Sequence, residues 1–124
     1  MNLLLDTHVL LWWLAGQRIT PDAQARIADP ATLVAVSAAT AWEIAIKLAL
    51  GKLRMKGSLA GHVEAAGFEP LAITFEHAER AGRLPDHHRD PFDRMLIAQA
   101  QTEGLAIVTR DIVFDSYEVE TLAC

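Results

Sequence analysis

The chain has 124 residues, 52% hydrophobic and 22% charged, a composition that excludes disorder and a length expected of a single domain spanning 1–124. Its one cysteine, Cys124, excludes a disulfide scaffold and a thiolate zinc site, which fits a reducing, cytoplasmic setting. The formal charge of −5 runs against the basic balance expected of a protein that handles nucleic-acid phosphates. That objection weakens if several acids share a metal site, since without the four acids singled out below the charge would be −1.

Strand-like and helix-like runs alternate along the chain. Asn2 to Leu5 is a short apolar run expected of a strand buried on both faces. Thr7 to Ala15 reads as a helix ended by Gly16, and Thr20-Pro21-Asp22 opens another with a capping hydroxyl and Pro at the first helical position. Leu33 to Val36 is a second buried strand, and Ser37 or Thr40 starts a long helix through Trp42 and Ile46 to Leu50. Leu59 to Ala66 is a weaker helix, Pro70 to Ile73 a third strand, and Thr74 caps a helix running to Gly82. After a polar loop, Asp90-Pro91-Phe92-Asp93 opens a helix to Glu103 that stops at Gly104. Ala106 to Val108 is a fourth strand, and Tyr117 to Leu122 is read as a fifth at an edge.

No apolar run is long enough to span a bilayer, which needs ~20 residues: Leu3 to Leu14 is interrupted by Asp6 and His8. It lacks a basic leader, so Met1 is expected to start a cytoplasmic protein. The β-α-β alternation predicts a mainly parallel sheet of four to five strands with helices on both faces. Ligands of such folds sit beyond the carboxyl ends of the strands.

Four acids fall at or near those carboxyl ends. Asp6 follows the first strand directly, and Asp111 follows the fourth through Thr109-Arg110. Glu43 lies about one and a half turns into the helix after the second strand, and Asp93 lies in the first turn of the helix entering the fourth. Four carboxylates that converge are hard oxygen ligands suited to Mg²⁺ or Mn²⁺, ions that activate water and neutralise a phosphoryl group. Each acid also has a plainer reading. Asp6 can cap the first helix, Glu43 can pair with Lys47 at i+4, and Asp111 and Asp115 can be loop acids. Asp90, before Pro91, fits the helix cap and leaves Asp93 free.

Leu5-Asp6-Thr7-His8, Thr40-Ala41-Trp42-Glu43-Ile44, Asp90 to Ala98 and Val108-Thr109-Arg110-Asp111 resemble, in order and over nearly the whole chain, the four acidic motifs of PIN-domain ribonucleases. The nearest likeness is to the VapC toxins of type II toxin–antitoxin modules. The resemblance implies a PIN-like three-layer α/β/α sandwich and a metal-dependent endoribonuclease. By it Asp6, Glu43, Asp93 and Asp111 would hold one or two Mg²⁺ or Mn²⁺ ions, with Asp115 as an additional outer ligand. An activated water would then cut an RNA phosphodiester to a 5′-phosphate and a 3′-hydroxyl. Thr7 would orient Asp6 or a metal-bound water, or else cap its helix. Arg94 and Arg110 would hold substrate phosphate or pair with the acids. His8 and the pair His87-His88 make no ligand set: the first reads as a packed helix residue and the others as solvated loop residues.

A receiver-type signalling module would also have this length and a doubly wound sheet. It is disfavoured because Asp6 stands alone, Ser37-Ala38-Ala39 follow Val36, and no lysine follows Lys56. The remaining alternative is a PIN-like module that binds RNA or a partner without cutting. Leu10 to Leu14, with Trp12 and Trp13, are consecutive on a helix whose side chains turn ~100° per residue, so one inward face cannot bury them all. The resemblance supplies two occupants for that surface, a cognate antitoxin segment and a second toxin subunit. The expected assembly is therefore a homodimer within a toxin–antitoxin hetero-oligomer, with Leu10, Trp12 and Trp13 as partner contacts.

Overall fold

Three consecutive leucines make the centre of the sheet. Leu3–Leu5 form strand β1, and all three side chains are fully buried, because β1 has a parallel neighbour on each side and helices over both faces. The structure, a computed structural model, describes residues 1–124. After β1 come helix α1 (Thr7–Leu14), α2 (Pro21–Ala28), strand β2 (Val34–Ser37), α3 (Ala38–Ala49), α4 (Leu59–Ala65), β3 (Glu69–Leu71), α5 (Phe75–Arg83), α6 (Pro91–Glu103), β4 (Ala106–Thr109), a 3-10 helix (Ile112–Ser116) and β5 (Thr121–Ala123). The strands lie in the order β3-β2-β1-β4-β5 and every pairing is parallel. Leu4 sits opposite Ala35 on one side and Ile107 on the other.

Strand side chains alternate between faces, and the two cores follow that alternation. Leu3, Leu5, Val36 and Val108 pack with Val9 and Leu10 of α1, Ile27 of α2 and Ile44 of α3. Leu4, Ala35 and Ile107 pack on the opposite face with Leu96, Ile97 and Ala100 of α6, and with Phe114 and Tyr117. The result is the three-layer α/β/α sandwich, with α1 to α4 on one side and α5, α6 and the 3-10 helix on the other. Full burial of each leucine contributes about 1.5–3 kcal/mol, so β1 anchors both layers. No helix is long and apolar enough to cross a membrane.

Caps set the helix ends that matter for the site. Ser37, rather than Thr40, starts α3, its hydroxyl accepting the Ala39 amide at 2.9 Å. Asp90 caps α6 by accepting the Phe92 and Asp93 amides at 2.9 and 3.0 Å, with Pro91 at the first helical position. Gly104 ends α6 at φ +68°, a left-handed conformation that suits glycine.

Two strands differ from the sequence reading. The third is Glu69–Leu71 rather than Pro70 to Ile73. The fifth is Thr121–Ala123 rather than Tyr117 to Leu122, because Phe114 and Tyr117 turn into the α6-side core and hold the preceding segment as a 3-10 helix. A third correction concerns Leu10. It is fully buried under the sheet rather than available to a partner, since α1 turns Thr7, Val9 and Leu10 inward. Leu11, Trp12, Trp13 and Leu14 are half-buried against the same core. Trp13 packs on Phe68, while Trp12 lies under the Arg110 guanidinium at 4.2 Å.

Candidate active site

The chain leaves β1 for β2 on one side and later returns to β4 on the other, which puts the topological switch point between β1 and β4. Open parallel sheets bind ligands at that crevice, beyond the carboxyl ends. Asp6 and Asp111 follow its two strands.

Asp6 occupies the N-cap position of α1, yet its side chain makes no capping hydrogen bond. It is buried, 4% exposed, and its Oδ2 accepts the Thr109 hydroxyl at 2.8 Å. Burial raises its pKa, against the lowering effects of the Thr109 hydroxyl, the His8 charge and the Thr7 and His8 amides. The same Thr109 oxygen accepts the Asp111 amide at 3.0 Å, so one residue at the end of β4 ties Asp6 to the backbone of Asp111. Nothing in the sequence around Thr109 signals this part, because its partner Asp6 lies 103 residues away.

Thr7 is the first residue of α1 and does not cap it. Its hydroxyl donates to Glu43 Oε1 at 2.9 Å and lies 3.1 Å from the Thr40 hydroxyl. A hydroxyl has one proton, so with Thr7 donating to the carboxylate, Thr40 donates to Thr7. Thr7 therefore orients Glu43 rather than Asp6. Lys47 Nζ holds Oε2 of Glu43 at 3.1 Å, the i+4 pair considered in the sequence.

Asp93 projects from the first turn of α6, where Asp90 fills the cap. Its pKa is pushed up to about 6, chiefly by burial, and the Asp90 and Asp6 charges raise it further. His88 opposes the rise: its Nε2 donates to Asp93 Oδ2 at 2.8 Å. His88 is thus a site residue that the sequence reading set aside as solvated. A histidine five residues before an acid carries no signal of its own. Its neighbour His87 is exposed, edge-on to Tyr117. The ligand atoms of His88, Asp90 and Asp93 lie within 4.8 Å of one another.

Asp111 and Asp115 are more exposed. Asp111 caps the 3-10 helix through the Val113 amide, and Asp115 accepts the Thr121 hydroxyl, each at 3.0 Å. Both border a cavity of about 230 Å³ with Arg110 and Ile112.

Neither arginine reaches an acid. Arg94 gives four hydrogen bonds of 2.9–3.2 Å to the carbonyls of Ala81, Leu84, Pro85 and His88. Arg110 donates to the carbonyls of Arg18 and Cys124 and stacks on Trp12. Both terminal nitrogens of Arg94 are bonded to the fold, whereas Arg110 engages only Nη2 and stays exposed beside Asp111.

The one group of converging ligand atoms, from His88, Asp90 and Asp93, does not include Asp6, Glu43 or Asp111, and its make-up suits a divalent ion. It offers carboxylate oxygens and one imidazole nitrogen but no thiolate, and the charge of Asp6 raises the pKa of the partly desolvated Asp93 further.

A family model described as the PIN domain matches residues 3–120. The chain belongs to the PIN-domain family. This PIN domain is 33% identical over 118 residues to Ribonuclease VapC22 of Mycobacterium tuberculosis, across 89% of this chain and 87% of that protein. Its fold is similar to that of VapBC2 from Rickettsia felis, solved bound to a promoter DNA fragment, with a TM-score of 0.76, 14% identity, and coverage of 99% of this chain and 98% of the other. A toxin–antitoxin complex from Klebsiella pneumoniae is similar at a TM-score of 0.70 and 22% identity, covering 98% and 96%.

Proposed function

We propose that this PIN domain is a Mg²⁺- or Mn²⁺-dependent endoribonuclease, the toxin of a type II toxin–antitoxin pair, acting in the cytoplasm. The observation that carries the reading is a group of ligand atoms: His88, Asp90 and Asp93 present theirs within 4.8 Å of one another, and the charge of the buried Asp6 adds to the rise in the Asp93 pKa. A divalent cation would offset the like charges of Asp90 and Asp6 that act on Asp93. The VapC22 relative is named a ribonuclease, and RNA is the substrate class that follows.

In this reading Asp6, Glu43, Asp93 and Asp111 hold the metal, and Asp115 is an outer contributor. The bound metal supplies an activated water and neutralises charge on the phosphoryl group. Thr109 fixes the Asp6 carboxylate, and Thr7 with Lys47 fixes that of Glu43. His88 holds Asp93 in place. Inhibition is assigned to a cognate antitoxin lying against the half-buried Trp12 and Trp13, and the toxin to a homodimer within the hetero-oligomer. The test of the chemistry is the product. RNA cut by the purified protein is expected to carry 5′-phosphate and 3′-hydroxyl ends. Ends with 2′,3′-cyclic phosphate would mean attack by the ribose hydroxyl and would remove the hydrolytic role of the acids.

A second expectation concerns pH. Asp93 must lose its proton to bind a cation, and its carboxyl titrates at about 6 rather than at the ordinary 3.8. The apparent Mn²⁺ affinity should therefore rise with pH and level off above about 7, being about tenfold weaker at pH 5. The same shift acts on folding: the metal-free protein binds this proton more tightly when folded, so the stability it contributes below pH 4 is lost as pH rises through about 6. Calorimetric titration at pH 5 and 7.5 checks the affinity. Equal values would show that Asp93 is not a ligand.

A further inference from the structure

The chain totals −5, yet its cations are not spread evenly. From Ile44 to Val63 there is no acid, and Lys47, Lys52, Arg54 and Lys56 carry +4, so the remaining residues carry −9. All three lysines of the chain lie in this stretch. Most other cations are already engaged: Arg26 with Asp22, Arg83 with Glu79, Arg80 with Gln101, and Arg94 and Arg110 with carbonyls. Lys47 is held by Glu43. Lys52, Arg54 and Lys56 are in no ion pair and are exposed.

The segment is also held in place. Lys52, Arg54 and Lys56 are exposed, while the intervening Leu53 and Met55 are half-buried against the α1-side core. The Lys52 amide donates to the Lys47 carbonyl at 2.9 Å, and the His62 ring bonds the Lys56 carbonyl. Two-residue spacing puts successive Cα atoms of the strip at most about 7 Å apart, a spacing on the scale of successive phosphates in a single strand. Arg54, Lys56 and His62 also rim a cavity of about 420 Å³ with Trp12 and Leu14 at its wall, a volume within the range of small-molecule sites. Helix α3 joins this strip to the acidic site, since Glu43 precedes its end at Ala49 by about 9 Å at 1.5 Å per residue.

We propose that Lys52, Arg54 and Lys56 form a prearranged strip that binds the phosphate backbone of single-stranded RNA as it runs from the acidic site along the end of α3. The proposal rests on the ribonuclease reading and adds to it the surface that lets an acidic protein hold a polyanion. No other five-residue segment of the chain carries three cations.

The test measures a labelled, mixed-sequence single-stranded RNA binding in EDTA, and its steady-state cleavage in Mg²⁺. Each phosphate contact on a single strand contributes ~0.7 to the log–log salt slope. The K52Q/R54Q/K56Q variant should therefore bind about 50-fold more weakly at 0.15 M salt, with a slope shallower by roughly 2. Its KM should rise by a similar factor, with kcat falling far less. Single substitutions should each cost about fourfold, which keeps the test open if the triple variant folds poorly. R26Q/R83Q, which removes cations engaged elsewhere, should leave binding and cleavage unchanged. A parent that cuts RNA beside a triple variant with unchanged KM and salt slope overturns the strip alone. Unchanged RNA binding with lost antitoxin affinity overturns it in favour of a protein-binding role. A parent that neither binds nor cuts RNA overturns the ribonuclease reading, and the strip with it.

Discussion

Asp93→Asn is expected to lower kcat/KM for RNA by more than ~100-fold, while Asp90→Asn stays within a few-fold of the parent. The two acids are three residues apart and do different work. Asp90 accepts the Phe92 and Asp93 amides through one oxygen, and asparagine caps a helix as well as aspartate. Asp93 has its cap duties done for it and presents its carboxylate toward His88 and the field of Asp6. Loss of a residue that merely supports a metal ligand costs 10–100-fold, so loss of a ligand's charge should exceed that. Asp90→Asn also removes a like charge that raises Asp93, so Asp93 should titrate below about 6 in that variant. Steady-state cleavage of folded variants at saturating Mg²⁺ checks both. A dead but folded Asp90→Asn beside an active Asp93→Asn would reverse the assignment.

Arg94→Gln is expected to destabilise the fold by roughly 2–4 kcal/mol, and Arg94→Lys to recover little of it. Hydrogen bonds to a charged donor contribute about 1.5–3 kcal/mol each when buried, and solvent at the part-exposed members reduces the sum. The guanidinium gathers the carbonyls of Ala81 and Leu84 at the end of α5 and those of Pro85 and His88 in the loop beyond. The last carbonyls of a helix have no partner within it, and a cation there also favours the helix dipole. An ammonium is a compact point charge and lacks the planar fork that spans four acceptors. The same bonds place His88 against Asp93, so cleavage should fall as well. Denaturant unfolding measures the stability, and a change under 0.5 kcal/mol would show that the loop stands without this clamp.

Much of the architecture is legible in the chain. The run Leu3-Leu4-Leu5 can be buried on both faces only at the centre of a parallel sheet, and the Asp90-Pro91 and Gly104 signals mark both ends of α6. The last strand was misplaced because Tyr117 reads equally well as a strand residue or as a core residue below a 3-10 helix. Only the packing of Phe114 and Tyr117 against α6 decides it. The positions of Asp6 and Asp111 follow from strand ends, and those of Glu43 and Asp93 from the helices they lie on. The partners of those acids could not be read this way. Thr109 meets Asp6 across 103 residues of sequence, and four carbonyls converge on Arg94 from a helix end and a loop. Leu10 was misassigned for a related reason: a run of apolar residues on a helix shows that some lie outside, without showing which.

The measurement closest to the central claim is cleavage by protein stripped of metal. Purified protein is treated with excess EDTA, dialysed, and assayed on RNA before and after addition of Mg²⁺ or Mn²⁺, with Asp6→Asn alongside. Cleavage is expected to disappear with the chelator, to return with either ion, and to stay absent in Asp6→Asn at every ion concentration. Undiminished cleavage by the parent in excess EDTA would contradict it.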